Sequence, residues 1–188
     1  MVKPIAAATA EAAAVLHRGG VVAYPTEAVY GLGCDPANAD AFLRLFAAKR
    51  RPPQQGVLLI AADFAQIVPY LDLARTPADA LERAQATWPG PHTWIFPRAA
   101  AVPDWIAGGH AGIAVRVTAH PVAAALCRAF GDALVSTSAN RHGEPPALSA
   151  AEVRAALGDE IDLVLDGPLG GLERPTAIRD AISGRTIR

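Results

Sequence analysis

The chain has 188 residues, of which 52% are hydrophobic and 19% charged, and its net charge is −1. That length fits one domain spanning residues 1–188, and the apolar content supports a large core and excludes global disorder. Near-neutrality excludes a generally basic nucleic-acid coat, but not a local basic groove. In chain order, alanine-rich residues 6–18 predict a helix that stops at Gly19-Gly20. Val21 to Tyr24 reads as a buried strand. Pro25 should end it for want of an N–H, leaving Thr26, Glu27, Tyr30, Gly31 and Gly33 in a following loop.

Asn38 to Arg50 has helical spacing, with Phe42, Leu45 and Phe46 on one face, and Pro52-Pro53 ends it. Val57 to Ala61 is a short strand. Asp63 caps a helix to about Val68, and a further helix starts at Thr76 or Pro77 and ends near Trp88-Pro89-Gly90-Pro91. Thr93 to Phe96 is a strand stopped by Pro97, and residues 99–111 read as loop. Ile113 to Val117 alternates and contains Arg116. His120-Pro121 opens a helix to Phe130, closed by Gly131. Ala133 to Val135 is a strand leading into Ser136-Thr137-Ser138-Ala139-Asn140. A helix from Ser149 to Leu157 has a capping-box pattern at Ser149 and Glu152, Ile161 to Leu165 is a strand, and 177–187 holds one or two more. Helices and strands alternate, but tight Pro/Gly loops join several strands. The expected class is therefore α/β, with a twisted, mixed, open sheet flanked by helices.

Cys34 and Cys127 lie far apart and lack CxxC spacing, which fits a reducing cytosol better than a zinc site or disulfide framework. The N-terminus lacks the pattern of a secretory signal, and no apolar run approaches the roughly 18–20 residues of a membrane span. The expected location is the cytoplasm. The five histidines are scattered without ligand spacing, so no protein metal cage is expected. No GxxxxGK[ST] loop, HExxH or GxSxG is present, and Gly31-Leu32-Gly33 lacks the timing of a dinucleotide fingerprint.

Four polar clusters end or interrupt apolar elements. Thr26 and Glu27 follow the first strand, either as a tight turn or as a ligand-binding strand end. Lys49-Arg50-Arg51-Pro52 is either solvated helix capping or a cationic fork for a triphosphate or an RNA backbone. Ser136 to Asn140 either caps and turns the chain or supplies neutral donors to phosphate oxygens. Arg116, in an apolar strand, either pairs with an internal acid or faces a ligand carboxylate. With no Ser-His or Cys-His pair in view, the set suits positioning of an anionic substrate and charge stabilisation at phosphorus, without a covalent enzyme intermediate.

The blocks Tyr24-Pro25-Thr26-Glu27-Ala28-Val29-Tyr30-Gly31-Leu32-Gly33-Cys34-Asp35, Lys49-x-Arg51-Pro52, Trp88-Pro89-Gly90-Pro91-x-Thr93, Val115-Arg116-Val117, Ser136-Thr137-Ser138-Ala139-Asn140 and Pro175-Thr176-Ala177-Ile178-Arg179-Asp180 occur in that order. Together they resemble the YrdC/Sua5 family over essentially the whole chain, and most of all its short bacterial members. The resemblance implies a YrdC-like domain with a concave ligand groove. It also implies a nucleotidyltransferase reaction in which L-threonine, bicarbonate (or CO2) and ATP, accompanied by Mg2+, give threonylcarbamoyl-AMP and diphosphate. A downstream transferase complex then modifies adenosine 37 of tRNAs reading codons that begin with A. By the same resemblance, Lys49 and Arg51 act on the nucleotide phosphates as the catalytic pair. Ser138, Asn140 and Thr176 also bind ATP, while Thr26 and Arg116 hold threonine. Gly31 and Gly33 would let the backbone approach a ligand, and Glu27 and Tyr30 have no assigned role.

The chain departs from the family pattern at Gly56 and Ile60, where many longer relatives have proline and a histidine, and at Pro175-Thr176-Ala177, where relatives often show Ser-Thr. Ending at Arg188, it is expected to lack the extra C-terminal domain of long members, and likewise the acylphosphatase and zinc-finger segments of other relatives. Two readings compete with catalysis. The basic run Arg44–Arg51 would suit a double-stranded RNA, tRNA or ribosome-maturation protein, and a purely structural subunit of a tRNA-modification complex would bind neither ATP nor threonine alone.

Overall fold

A computed structural model describes residues 4–52, 56–174 and 177–187. Among them the strands form one eight-stranded mixed sheet. Its strands are β1 (Val22–Pro25), β2 (Tyr30–Gly33), β3 (Leu58–Ala61), β4 (Thr93–Pro97), β5 (Gly112–Val117), β6 (Leu134–Ser138), β7 (Leu163–Val164) and β8 (Ile178–Asp180), in the order β7-β1-β2-β6-β3-β5-β4-β8. Pairs β1–β7, β3–β5 and β4–β8 are parallel and the other four are antiparallel. The α-helices are α1 (Ile5–His17), α2 (Ala39–Lys49), α3 (Phe64–Ile67), α4 (Ala78–Gln85), α5 (Asp104–Ala107), α6 (Pro121–Phe130) and α7 (Ala150–Leu157). None is long and apolar enough to cross a membrane.

Local chemistry explains the helix ends. The Asn38 side chain accepts from Ala41 N at 3.0 Å and starts α2, and Asp63 accepts from Gln66 N at 3.2 Å and starts α3. Ser149 accepts from Glu152 N at 3.2 Å, but the Glu152 carboxylate returns to Leu148 N at 2.7 Å, one residue before the usual capping-box partner. Gly131 stops α6 in the left-handed region. At the end of α2 that role falls to Arg50, with φ 50° and ψ 42°.

Two expectations about loops are corrected, while Pro25 is, as expected, the last residue of the β1 ladder, opposite Tyr30. The presumed loop after it contains β2, which pairs with β1 and β6 to form a hairpin in mid-sheet. Its glycines also stand where a side chain would meet close neighbours. A Cβ on Gly33 would lie 2.5 Å from the Val135 carbonyl oxygen, and one on Gly31 would lie 3.2 Å from the Tyr24 ring. Within 99–111, the expected loop, one helical turn (α5) is formed.

Strand alternation divides the core. On one face, Leu32, Leu59, Ala61, Trp94, Phe96, Val115, Val117 and Val135 pack with Phe42, Leu45 and Phe46 of α2 and Val153 and Leu157 of α7. On the other, Val22, Tyr24, Ile60 and Leu134 lie under Ala12, Ala13 and Leu16 of α1 and Val122, Leu126 and Cys127 of α6. These two helices cover only part of that second face. Two residues further along the strands, Leu58, Ala114 and Ser136 stand opposite one another in register and are left for the site.

Candidate active site

A cavity of about 1130 Å³ lies over the uncovered part of the sheet. Its floor is a row across the strands: Gly31, Ser138, Ser136, Leu58, Ala114, Ile95 and Asp180 all line it. Pleat periodicity places Ala114 and Ile95 there, since their sequence neighbours Ile113, Val115, Trp94 and Phe96 point into the opposite core, while at the end of β6 Thr137 lines the cavity along with Ser136 and Ser138. Thr26 and Glu27 enter from the β1–β2 turn, Arg51 from beyond α2, and Ala177, Thr186 and Ile187 from the C-terminal segment.

Arg116 is the most constrained charge on this wall. Its Nε and Nη2 donate to Thr93 Oγ1 at 3.0 and 2.8 Å, and its Nη1 donates to Glu27 Oε2 at 3.3 Å. Of the two outcomes set out for Arg116, the internal acid partner is found: it pairs with Glu27, and it also lines the cavity. Burial pulls its pKa down and the Glu27 carboxylate pushes it up. Thr26 is buried on the same wall and donates its hydroxyl to the Val29 carbonyl at 2.7 Å, which leaves its oxygen able to accept.

Arg51 faces the cavity from the other side of the floor. Its Nη1 reaches Thr137 Oγ1 and its Nη2 the Gly56 carbonyl, both at 3.4 Å, and its guanidinium carbon sits 5.3 Å from the Phe46 ring centroid. Lys49 does not join it. Its side chain is 2% exposed and does not line the cavity. Nζ instead donates to Ser138 O at 2.5 Å, Asn140 O at 2.9 Å and Asn140 Oδ1 at 3.2 Å. Left-handed Arg50 turns the chain between the two cations, so a spacing that suggests one fork gives two diverging side chains. Burial, with the like charge of Arg51 adding to it, lowers the Lys49 pKa from the ordinary 10.5 to about 8. Three oxygen acceptors oppose that shift by stabilising the ammonium.

Asn140 also stays off the cavity wall: its amide nitrogen donates to the Arg141 and Glu144 carbonyls at 2.9 and 2.6 Å. The structure thus brings together Thr26, Arg51, Arg116 and Ser138, and places Lys49 and Asn140 behind them as supports of the strand-end turn. Thr176 lies outside the described residues. Ile60 is fully buried under α6. Sequence reasoning gave no role to Thr93, Thr118, His110 or Asp180. Thr93 could have been found from the alternation that already marked Arg116 on the neighbouring strand. The others carry no local signal.

The model of the Sua5/YciO/YrdC family, described as "Telomere recombination", matches residues 14–188. The chain belongs to that family. A family relative from Halorhodospira halophila, named threonylcarbamoyl-AMP synthase, is 60% identical over 177 residues, which is 94% of this chain and 92% of the relative. Another of that name, from Alkalilimnicola ehrlichii, is 57% identical over 181 residues, 95% of this chain and 93% of the relative. Among solved structures, P. abyssi Sua5 complexed with L-threonine superposes with a TM-score of 0.86 at 32% identity, covering 92% of this chain and 50% of that protein. The chain therefore spans about half the length of that Sua5. E. coli YciO superposes at 0.82 with 26% identity, covering 95% of this chain and 86% of YciO. The α/β class with a mixed, helix-flanked sheet agrees with both.

Proposed function

We propose that this chain is a threonylcarbamoyl-AMP synthase. The observation that carries the reading is the placement of two guanidinium groups, Arg116 and Arg51, on the wall of one cavity whose floor ends in the hydroxyls of Ser136, Thr137 and Ser138. The relatives' name and the threonine complex of P. abyssi Sua5 supply the substrates that fit it. Arg116 takes the carboxylate of L-threonine, with Thr26 beside it. The amino nitrogen of threonine bonds to the carbon of CO2 with loss of a proton, or to that of bicarbonate with loss of water, and gives the carbamate. A carbamate oxygen then attacks the α-phosphorus of ATP, the bond to the bridging oxygen breaks, and diphosphate leaves. Arg51 and the Thr137 and Ser138 hydroxyls meet the phosphate charge that develops in that step. Lys49, engaged with Ser138 and Asn140, acts by holding that hydroxyl-bearing turn in place.

Magnesium enters as part of the nucleotide substrate. No group of three metal-ligating side chains occurs among the described residues. Of the lining carboxylates, Glu27 is committed to Thr118 and Arg116, and Asp180 accepts from Ser183 N and Oγ at 2.7 Å. The ion would be held mainly by phosphate oxygens and water. The product would pass to a transferase complex that modifies tRNA in the cytoplasm.

The RNA-binding alternative is not favoured, because its basic run is not one surface. Arg44 pairs with Asp162 at 2.9 Å, Lys49 is buried and Arg51 faces the cavity. The test is diphosphate release from ATP with threonine, bicarbonate and magnesium. Release should require both threonine and bicarbonate, and Arg51→Ala should cut it roughly 100-fold or more with the fold intact. Release independent of threonine, or wild-type turnover in Arg51→Ala, would contradict the reading.

A further inference from the structure

We propose that Glu27 is the positioning residue of the amino-acid pocket: it sets the direction in which Arg116 meets a ligand carboxylate. The inference rests on the reading of the cavity as a threonine site and extends it to a residue that the substrates need not touch. Glu27 is 6% exposed, and its carboxylate oxygens have separate partners. Oε1 accepts from the Thr118 hydroxyl at 2.5 Å and from Ala119 N at 3.2 Å, and Oε2 accepts from Arg116 Nη1 at 3.3 Å. Thr93 holds the Nε and Nη2 of the same guanidinium. A planar group held at both ends has one orientation available, so its direction toward the cavity is fixed before any ligand arrives.

The backbone of Glu27 is itself fixed by a strap, residues 167–172. Gly170 N donates to Thr26 O and Leu172 N to Glu27 O, both at 3.0 Å. The strap lies so close that a Cβ on Gly170 would sit 2.8 Å from Glu27 Cα. Two side chains anchor it. The Tyr30 hydroxyl donates to Gly167 O at 2.7 Å and accepts from Gly167 N at 3.2 Å, and His120 Nε2 lies 3.1 Å from Pro168 O. His120 N donates in turn to Thr118 Oγ1 at 3.0 Å, which closes a ring of contacts from Glu27 through Thr118, His120 and the strap back to Glu27. Stability alone does not call for this arrangement, since a buried ion pair is a weak source of it compared with apolar packing. What the ring supplies is geometry at Arg116.

Glu27→Gln keeps the shape and removes the charge that faces Arg116. Threonine binding by calorimetry and the KM values for threonine and ATP are measured in wild type, Glu27→Gln, Arg116→Lys and the double variant. Threonine affinity should fall about tenfold in Glu27→Gln, with the KM for ATP unchanged and the loss expressed in the threonine KM rather than in kcat. The double variant should bind threonine no more weakly than Arg116→Lys alone, because both changes disable one unit. Wild-type threonine affinity in Glu27→Gln, equal losses for ATP and threonine, or additive losses in the double variant would overturn the proposal. If Glu27→Gln does not fold, Thr118→Val carries the test. It keeps the ion pair and removes a donor to the other oxygen, so threonine binding should still weaken, and an unchanged affinity would overturn the proposal. Failure of the wild type to bind threonine is a separate outcome, and it would overturn the substrate reading together with this inference.

Discussion

Lys49 shows how one side chain can matter to a site it does not face. Its ammonium has three oxygen partners in the Ser138–Asn140 turn, and burial brings its pKa down to about 8. Between about pH 8 and the unfolded value near 10.5, the unfolded chain holds this proton and the folded chain releases it. Folding stability from this group therefore rises with pH across that window, while the turn loses a charged donor. Stability and activity should thus move in opposite directions. Relative to Lys49→Met, wild type should gain on the order of 1–2 kcal/mol between pH 7 and 9.5 by urea unfolding, while its turnover declines above about pH 8. Parallel behaviour of the two proteins would remove Lys49 from the account. At this scale the sequence reveals residue types better than directions. Arg116 is legible because a charge inside an alternating apolar strand needs an explanation. The divergence of Lys49 from Arg51 is not legible, because it depends on Arg50 adopting a left-handed conformation that glycine usually supplies.

The β1–β2 hairpin is the element on which the site depends, since its turn carries Thr26 and Glu27. It is also the element hardest to read. β2 is only four residues long, and two of them are glycines, so it has neither β-branched enrichment nor apolar alternation. Tertiary crowding accounts for those glycines: the Val135 carbonyl and the Tyr24 ring occupy the space a Cβ at position 33 would need. Gly33→Ala should therefore cost about 1–3 kcal/mol, measured as a lowered midpoint of thermal or urea unfolding. A neutral effect would mean that β2 can shift away from β6. By contrast, helices α2, α6 and α7 are legible to within a residue or two, because each couples an apolar face to a recognisable cap: Asn38, His120-Pro121 and Ser149.

Across the whole molecule, function follows from incomplete coverage of a sheet. One face is packed by α2, α3, α4 and α7. On the other, α1 and α6 cover Val22, Ile60 and Leu134 and stop short of Ser136, Leu58 and Ala114. A mixed sheet with helices is predictable from alternating elements and Pro/Gly loops. The extent of helix coverage is set by long-range packing and is not. The uncovered area brings the guanidinium groups of Arg116 and Arg51 onto the wall of a single cavity, and that juxtaposition is the basis of the proposed reaction. The most direct test is mass spectrometry of the nucleotide product formed from ATP, L-threonine and bicarbonate carrying a heavy carbon isotope. The account predicts an adenylate bearing the threonine and the heavy carbon together. Formation of ADP, of AMP alone, or of an adenylate without the labelled carbon would contradict it.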